Sequence, residues 1–245
     1  MFHTPRPSPL QPKTVFLADE KVRYMKYPPG FQLLHCIRAS GAGGESFFAD
    51  AFYAAEVLYK TSPEDFEALC TFPVTYRYNK GGKFYTDTKV TIEIDRTKVC
   101  FSLTSYTRFT LSSMPRRPRA DLIQAPKPDT GMPAIANINY APPFQGPLTA
   151  NQGTHDDGAS LTAYVRAASH FQRIISAPEN QISYMLRPGD CVVFNNRRVL
   201  HGRREFVSIG VKQGEERWLK GAYLDADDVA SALRGSEAQA ADERV

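Results

Sequence analysis

Short apolar runs separated by tight turns fill the last third of the chain, and they limit its fold more than any other feature. Residues 182–186 lead into Arg187-Pro188-Gly189-Asp190, whose proline and glycine are typical of a tight turn. Further apolar runs follow at residues 191–194, 198–201 and 218–223. Strands this short at such close spacing favour a β-barrel or a β-sandwich.

The rest of the chain adds more strands and a few helices. One helix start is marked by Ser62 as the capping residue, by Pro63 in the first turn and by two acidic residues after it. Predicted strands cover residues 31–37, 45–50, 74–78, 90–94, 99–103 and 135–140, and predicted helices cover residues 51–59, 62–69 and 160–175. We therefore expect a mainly β protein with flanking helices.

A chain of 245 residues falls within the size range of single all-β domains. Residues 1–23 are rich in proline, which removes backbone donors, so we expect them to be irregular. Residues 24–233 form the predicted domain. Residues 234–245 are rich in Ala, Glu, Asp and Ser, and we expect a frayed tail there.

Charge and hydropathy exclude several classes of protein. The formal net charge of +4 is small for this length and does not require a nucleic-acid partner. No segment approaches the roughly 20 apolar residues of a membrane span, and the first twenty residues lack the apolar core of a secretory signal. We expect a soluble protein of the cytoplasm with no membrane partner, and the mitochondrion is the alternative compartment.

A single histidine marks the strongest candidate for chemistry. Residues 191–194 form an apolar run, Asn195-Asn196 turns the chain, and His201 then follows beside Gly202. Such a histidine can point its ring into the mouth of a barrel. Taken alone the signal is weak, because a lone histidine in a strand is more often a structural hydrogen-bonding residue than a metal ligand.

Five ordered motifs give that histidine a context. They are residues 28–36, residues 43–46 with Asp50, residues 187–190, residues 200–204 and residues 221–223. These motifs resemble those of the γ-butyrobetaine and trimethyllysine hydroxylases, a branch of the taurine-dioxygenase-like (TauD/TfdA) oxygenases, and the resemblance runs from about residue 24 to residue 233. It implies a double-stranded β-helix, or jelly-roll, with iron(II) and 2-oxoglutarate as cofactor and cosubstrate.

The resemblance also implies roles for individual residues. His201 corresponds to the distal histidine of the iron site, and Arg217 resembles the arginine that binds the far carboxylate of 2-oxoglutarate. A planar fork of donors suits a carboxylate. Arg203 and Arg204 are alternatives, but they follow His201 too closely to be favoured. Ser46 matches a polar position beside the cosubstrate.

Two further residues correspond to positions that contact substrate. Tyr223 resembles a tyrosine of an aromatic cage, in which ring faces attract a trimethylammonium group. A core tyrosine at the rim of the barrel would fit the pattern equally well. Asn139 falls where related enzymes place polar residues against the substrate. The resemblance implies a small carboxylate as substrate, with carboxylates that carry a quaternary amine among the candidates.

One half of the expected metal site is missing from the sequence. The iron triad needs a His-x-Asp pair whose side chains reach the same face. In the family this pair precedes the Pro-Pro-Gly segment at a fixed distance, which falls here on Asp19 and Lys21. A lysine ammonium has no lone pair for a metal. The only His-x-Asp in the chain is His155 with Asp157, within a variable loop.

Three explanations of this gap remain open. The sequence can derive from an incomplete gene model, the chain can be a degenerate relative that binds ligands without oxidation, or the site can be rebuilt from His155 and Asp157. The leading hypothesis is a dioxygenase that uses O2 and hydroxylates a small molecule. The rival is a non-oxidising binding or interaction domain. A homodimer is a further possibility.

Overall fold

The computed structural model describes residues 25–39, 43–95, 132–148, 160–205 and 217–242, and the following elements are those of these residues. The strands are β1 (Phe31–Arg38), β2 (Ser46–Asp50), β3 (Pro73–Lys80), β4 (Lys83–Val90), β5 (Ile92–Ile94), β6 (Ile135–Ile138), β7 (Gln181–Tyr184), β8 (Cys191–Asn195), β9 (Val199–Arg203) and β10 (Trp218–Leu224). The helices are α1 (Ala51–Thr61), α2 (Pro63–Thr71), α3 (Leu161–Ser176) and α4 (Ala226–Asp242).

Two antiparallel sheets of three strands form the frame of the domain. Sheet I has the strand order β10-β1-β8, and sheet II has the order β7-β2-β9. The chain alternates between the sheets, because β1 leads into β2 and β8 leads into β9. Inner side chains of sheet I, including Leu34, Cys36 and Phe194, form a core with Phe48 and Val199 of sheet II. We call the volume between the two sheets the inter-sheet space.

The other face of sheet II is covered by helices. Phe47 and Ala49 of β2 are buried with Leu58 of α1 and with Phe171 and Ile175 of α3. Since strand residues alternate between faces, the neighbours of Phe47 point the opposite way, into the inter-sheet space. Sheet II therefore separates a large helical core from the smaller core between the sheets.

A two-stranded hairpin and a short strand pair complete the described part. Strands β3 and β4 pair through a turn at Gly81 and Gly82, whose φ angles of 60° and 73° suit a two-residue hairpin turn. The sequence predicted one strand at residues 90–94, but the strand breaks at Thr91 because the partner changes. Strand β4 pairs with β3, whereas β5 pairs with β6.

Most of the remaining elements agree with the predictions to within a few residues. Two elements were not predicted. One is β4, over Lys83–Val90, and the other is α4, which runs from Ala226 to Asp242 where a frayed tail from residue 234 was expected. Alanine and other good helix formers in this stretch explain the correction. The predicted strand at residues 99–103 lies outside the described residues. Within the described part, no helix combines the length and apolarity needed to cross a membrane.

A buried carboxylate joins α2 to α3, one of the helices that cover sheet II. Asp65 of α2 accepts hydrogen bonds from Arg166 Nε at 2.7 Å and lies 3.0 Å from His170 Nδ1, both on α3. Burial by itself raises the pKa of Asp65, but hydrogen bonds from His170, Arg166 and Ser62 outweigh it and lower the pKa. The charged form of Asp65 therefore stabilises the packing of α2 on α3.

Replacing Asp65 with asparagine is expected to lower the free energy of unfolding at neutral pH by about 1–3 kcal/mol, because the charged hydrogen-bond acceptor is lost. The folded-state pKa lies below the unfolded value of about 3.9, so the stabilisation is present above that pH. It is lost as the pH falls through the folded-state pKa. Urea unfolding of wild type and Asp65→Asn across this pH range measures both effects.

The control is Glu64→Gln, an exposed acidic residue one position earlier in the same helix. We expect it to change stability by less than about 0.5 kcal/mol. A stability difference between wild type and Asp65→Asn that stays constant into strong acid would contradict the assignment.

Candidate functional site

Strands β9 and β2 present alternate residues to the two sides of sheet II. His201 lies directly opposite Phe48, and Arg203 lies directly opposite Ser46. Because strand residues alternate between faces, these four side chains share one face. The ring of Phe48 contacts Phe194 of sheet I at a centroid distance of 5.5 Å, so the shared face is the inner one. His201 and Ser46, both predicted from the sequence, thus line the inter-sheet space.

Two aromatic rings hold the imidazole of His201. Its centroid lies 6.3 Å from the ring of Phe48 in a stacked arrangement and 5.0 Å from the tilted ring of Phe194. The residue is half-buried, and its Nε2 atom is buried. The two rings restrict rotation of the imidazole, which therefore keeps a defined position between the sheets.

An ion pair fixes the start of the strand that carries His201. Arg198 Nη2 lies 2.6 Å from Asp50 Oδ2, and Arg198 Nε donates to both oxygens of the same carboxylate. Asp50 Oδ1 also accepts from the backbone N–H groups of Phe52 and Tyr53 and so caps α1. Asp50 therefore couples the first turn of α1 to the beginning of β9, three residues before the histidine.

Arg217 approaches the inter-sheet space from the opposite sheet, at the start of β10. Its Nη2 lies 3.4 Å from the carbonyl oxygen of Gly44, two residues before Ser46. Burial, and then the positive charge of nearby Arg203, lower the pKa of Arg217. Burial raises the pKa of the Cys36 thiol, and the positive charge of Arg217 partly offsets this rise. Arg217, Arg203 and Ser46 therefore converge at one end of the inter-sheet space.

Arg204 points to the other side of the sheet. Its Nε donates to Glu45 Oε2 at 3.0 Å, and its guanidinium lies 5.7 Å from the centroid of the Phe47 ring. Phe47 belongs to the helical core. Of the two arginines that follow Gly202, only Arg203 thus faces the inter-sheet space. The alternation of side chains along β9 distinguishes the two arginines, whereas their spacing along the sequence does not.

Tyr223 and a glutamine occupy neighbouring inner positions on sheet I. Gln32 of β1 is paired with Tyr223 of β10 on one side and with Phe194 of β8 on the other. Gln32 is fully buried, and Phe194 contacts His201. Tyr223 is therefore two strands away from the residue that packs on the histidine. Gln32 was not predicted as a site residue, because its place within an apolar strand is its one sequence signal.

Asn139 lies apart from these residues in a buried polar network. Its Nδ2 donates to Glu93 Oε1 at 2.8 Å and to the carbonyl of Val90 at 3.0 Å, while its Oδ1 accepts from Asn137 at 2.9 Å. Its own carbonyl accepts from the hydroxyl of Tyr76 at 2.6 Å. These bonds join the β5–β6 pair to the β3–β4 hairpin, which is a structural role. Contact with a substrate remains a prediction from sequence.

The described donors do not fit an iron site of two histidines and one carboxylate. Within residues 25–39, 43–95, 132–148, 160–205 and 217–242, no three His, Cys, Asp or Glu side chains lie close enough to hold one metal ion. His170 binds Asp65, and His35 faces outward on sheet I beside the exposed Cys191 and Lys220. Only His201 among the expected ligands belongs to this part of the chain. The predicted alternatives His155 and Asp157, and positions 19 and 21, lie outside it.

Comparison with known sequences gives one family and several relatives. Residues 4–223 match the family described as taurine catabolism dioxygenase TauD, TfdA family. The chain is 34% identical over 208 residues to the dioxygenase str8 of Strobilurus tenacellus, covering 83% of this chain and 39% of that protein. It is 30% identical over 210 residues to a trimethyllysine dioxygenase of Meyerozyma guilliermondii, covering 86% and 42%. It is 29% identical over 215 residues to the gamma-butyrobetaine dioxygenase of Homo sapiens, covering 86% and 44%.

The chain thus spans about two fifths of the length of the curated relatives it matches. Among solved structures it is similar to an asparagine oxygenase in complex with Fe(II), 2S,3S-3-hydroxyasparagine and succinate. The TM-score is 0.51 at 17% identity, over 84% of this chain and 48% of that one. A taurine dioxygenase from Burkholderia xenovorans gives a TM-score of 0.50 at 13% identity, over 82% and 55%. These similarities confirm the predicted jelly-roll oxygenase fold.

Gly202 keeps the histidine strand at its correct distance from the helical core. A Cβ atom at this position would lie 2.2 Å from Cζ of Phe47, far inside van der Waals contact. Phe47 is completely buried, so its ring cannot move away without disturbing the residues packed around it. Residue 202 must therefore be glycine if β9 is to pair with β2 while His201 faces inward.

Replacing Gly202 with alanine is expected to lower the free energy of unfolding by about 1–3 kcal/mol, through overpacking against Phe47. The matched control is Gly221→Ala in β10, where the nearest atom to an added Cβ is Leu34 Cδ2 at 3.8 Å. We expect less than about 0.5 kcal/mol for the control. Chemical unfolding of the three proteins measures the effect, and equal stability of the two variants would refute the packing argument.

Proposed function

The chain belongs to the TauD/TfdA family of taurine catabolism dioxygenases, and on that premise we propose that it is the oxygenase domain of a 2-oxoglutarate- and iron(II)-dependent dioxygenase. One observation carries the proposal. His201 and Ser46 face the same inter-sheet space, and the guanidinium of Arg217 reaches the carbonyl oxygen of Gly44, two residues before Ser46.

The cosubstrate side of the site has the chemistry that a dicarboxylate needs. In this proposal Arg217 binds the far carboxylate of 2-oxoglutarate through its guanidinium fork, and the buried Ser46 adds a hydroxyl. Ser46 shares the inner face of β2 with Phe48, whose ring contacts Phe194 and adds apolar surface to the inter-sheet space. When bound, iron in this family activates O2 for hydroxylation. Of the expected ligands, His201 is the one that lies within the described residues, where no three donors are grouped to hold a metal ion.

The proposed substrate is a small carboxylate with a quaternary amine. The relatives named trimethyllysine dioxygenase and gamma-butyrobetaine dioxygenase support this class. Tyr223, on the inner face beside Gln32, supplies an aromatic ring that can attract a trimethylammonium cation. Asn139 was expected to contact the substrate, but its bonds to Glu93 and Val90 favour a supporting role for it.

A second candidate function is favoured by the incomplete donor set. A non-oxidising domain could keep the fold and the arginines and bind a dicarboxylate without oxidising anything. Lys21 at an expected ligand position and the missing three-donor cluster within the described residues support this candidate. The two functions differ in one measurable property, which is whether 2-oxoglutarate is consumed.

The surroundings of the protein remain predictions. The cytoplasm is the proposed compartment, and the mitochondrion is the alternative, which one relative supports by its name, the mitochondrial trimethyllysine dioxygenase of Bos taurus. A small-molecule substrate and O2 are the proposed partners of the reaction. A homodimer is proposed for the assembly.

Purified protein supplied with iron(II), 2-oxoglutarate, O2 and either γ-butyrobetaine or trimethyllysine is expected to form succinate and a hydroxylated product in equal amounts. His201→Ala should reduce succinate formation by about 100-fold or more, because disturbing even the support of a metal ligand costs about 10–100-fold. His35→Ala, on the outer face of sheet I, is the matched control and should retain activity. Mass spectrometry of both products measures the outcome.

Binding is measured separately through the weak charge-transfer absorption of the iron–2-oxoglutarate chelate and through the melting temperature. If folded protein gives neither succinate nor the absorption band, yet 2-oxoglutarate still raises its melting temperature, the non-oxidising function replaces the oxygenase. If 2-oxoglutarate does not bind at all, with or without iron, both functions are wrong.

A further inference from the structure

The outer half of the β3–β4 hairpin is a surface to which the proposed reaction gives no role. We call residues 77–86, which include the two-glycine turn, the hairpin tip. The base of the hairpin is held in the fold, because the side chains of Val74 and Tyr76 are completely buried. In the hairpin tip every residue except the half-buried Tyr78 is exposed. The tip is therefore a two-stranded ribbon that is accessible over most of its surface.

Aromatic side chains lie on both faces of the hairpin tip. Phe84 is 66% exposed, and its neighbour Tyr85 is 41% exposed. Because successive strand residues alternate between faces, the two rings point to opposite faces of the ribbon. Tyr85 lies opposite Tyr78, with ring centroids 6.3 Å apart, whereas Phe84 lies opposite the exposed Asn79. A protein partner that binds one face of the ribbon would cover only one of the two exposed rings.

The hairpin tip is positively charged. Residues 77–86 contain one arginine and two lysines but no Asp or Glu. Arg77 and Lys83 are exposed, and neither forms an ion pair within the part of the chain that the structure describes. The first acidic residue after the tip, Asp87, lies 3.1 Å from Lys89 in an ion pair of its own. The hairpin tip therefore attracts an anionic surface.

The charge of the hairpin tip also opposes association with a second copy of the chain. Among the described residues β4 pairs with β3 alone, so its other edge is open to a further strand. Lysine on such an edge is a common device against pairing between copies. Two copies joined along β4 would bring two positively charged tips together. The charge thus favours an anionic partner over self-association.

We propose that the hairpin tip binds the surface of a membrane that contains anionic lipids. The lipid interface surrounds a thin ribbon, so it covers the rings on both faces at once. Aromatic rings favour this interface, where an apolar body meets a wet boundary. Lysine and arginine can place their charges among the lipid phosphates while their apolar stems lie beside the acyl chains. Juxtaposed rings and cations on one ribbon are what such a surface requires.

This binding is peripheral. It departs from the expectation of no membrane partner, which rested on the lack of a predicted membrane span. It is also independent of the proposed oxygenase activity, because the hairpin tip and the residues assigned to the inter-sheet space have no member in common.

Sedimentation with vesicles measures the binding of the full chain. One set of vesicles contains phosphatidylcholine alone, and the other contains equal amounts of phosphatidylcholine and phosphatidylserine. The variants are the double substitution Arg77→Gln with Lys83→Gln, and the single substitution Phe84→Ser. The matched controls are Lys220→Gln and Val193→Ser, an exposed cation and an exposed apolar residue on the outer face of sheet I. Melting temperatures without vesicles establish that each variant is folded.

We expect wild type to bind the phosphatidylserine vesicles at least about tenfold more tightly than phosphatidylcholine vesicles, and high salt to weaken this binding. The double variant should bind about 25-fold more weakly, since each charge near an anionic membrane contributes about fivefold. Phe84→Ser should weaken binding at least about fivefold through loss of apolar contact. Both controls should bind as wild type does.

Fluorescence tests whether the ring at position 84 enters the interface. The chain contains one tryptophan, so Phe84→Trp combined with Trp218→Phe makes the emission report on position 84 alone. We expect the emission to shift to shorter wavelength when phosphatidylserine vesicles are added. Binding without this shift would show adsorption by charge alone and would contradict insertion of the ring.

Three results would overturn the proposal. The first is equal binding of wild type to the two kinds of vesicle, and the second is wild-type binding by the double variant. The third is a single-stranded DNA oligonucleotide that binds as tightly as the phosphatidylserine vesicles while Phe84→Ser binds both as wild type does, because the hairpin tip would then be a general polyanion site. None of these results bears on 2-oxoglutarate turnover, so the two proposals fail separately.

Discussion

The pairing of β2 with β9 is the constraint on which the rest of the site depends. In this register Phe47 lies directly opposite Gly202 on the helical side of sheet II. Residue 202 is glycine because a side chain there would collide with the buried ring of Phe47. The same register turns His201 and Arg203 toward the inter-sheet space. A shift of one residue would exchange the two faces and send the histidine into the helical core. Packing on one side of sheet II thus determines chemistry on the other.

Charge is distributed around this strand pair in a consistent way. The arginines at the two ends of β9 form ion pairs. Arg198 pairs with Asp50 of β2, and Arg204 pairs with Glu45, the residue before β2. These pairs lie at the strand ends, and the first of them also secures α1. Arg203, by contrast, lies directly opposite Ser46 and faces inward. The outer pairs stabilise the frame.

The described residues include groups suited to bind the cosubstrate but not a full set of ligands for the metal. His201 and Arg203 of β9, Ser46 of β2 and Arg217 at the start of β10 all belong to the described residues, so these supply the groups proposed to bind the cosubstrate. The metal requires donors that these residues do not provide. Binding of a dicarboxylate and oxidation with it are therefore separable properties, and the incomplete donor set makes that distinction the main functional question.

The sequence by itself determined the strand-rich class, most element positions, the family and the candidates His201, Ser46, Arg217 and Tyr223, because turn residues, strand periodicity and ordered motifs are local signals. It set Arg203 and Arg204 aside together in favour of Arg217, since spacing from His201 does not say which face a side chain occupies. It also gave Asn139 a substrate contact without showing the buried bonds that the residue makes. Only the tertiary structure decided these points, because strand pairing fixes the faces and brings Arg217 from sheet I to Gly44, two residues before Ser46 of sheet II.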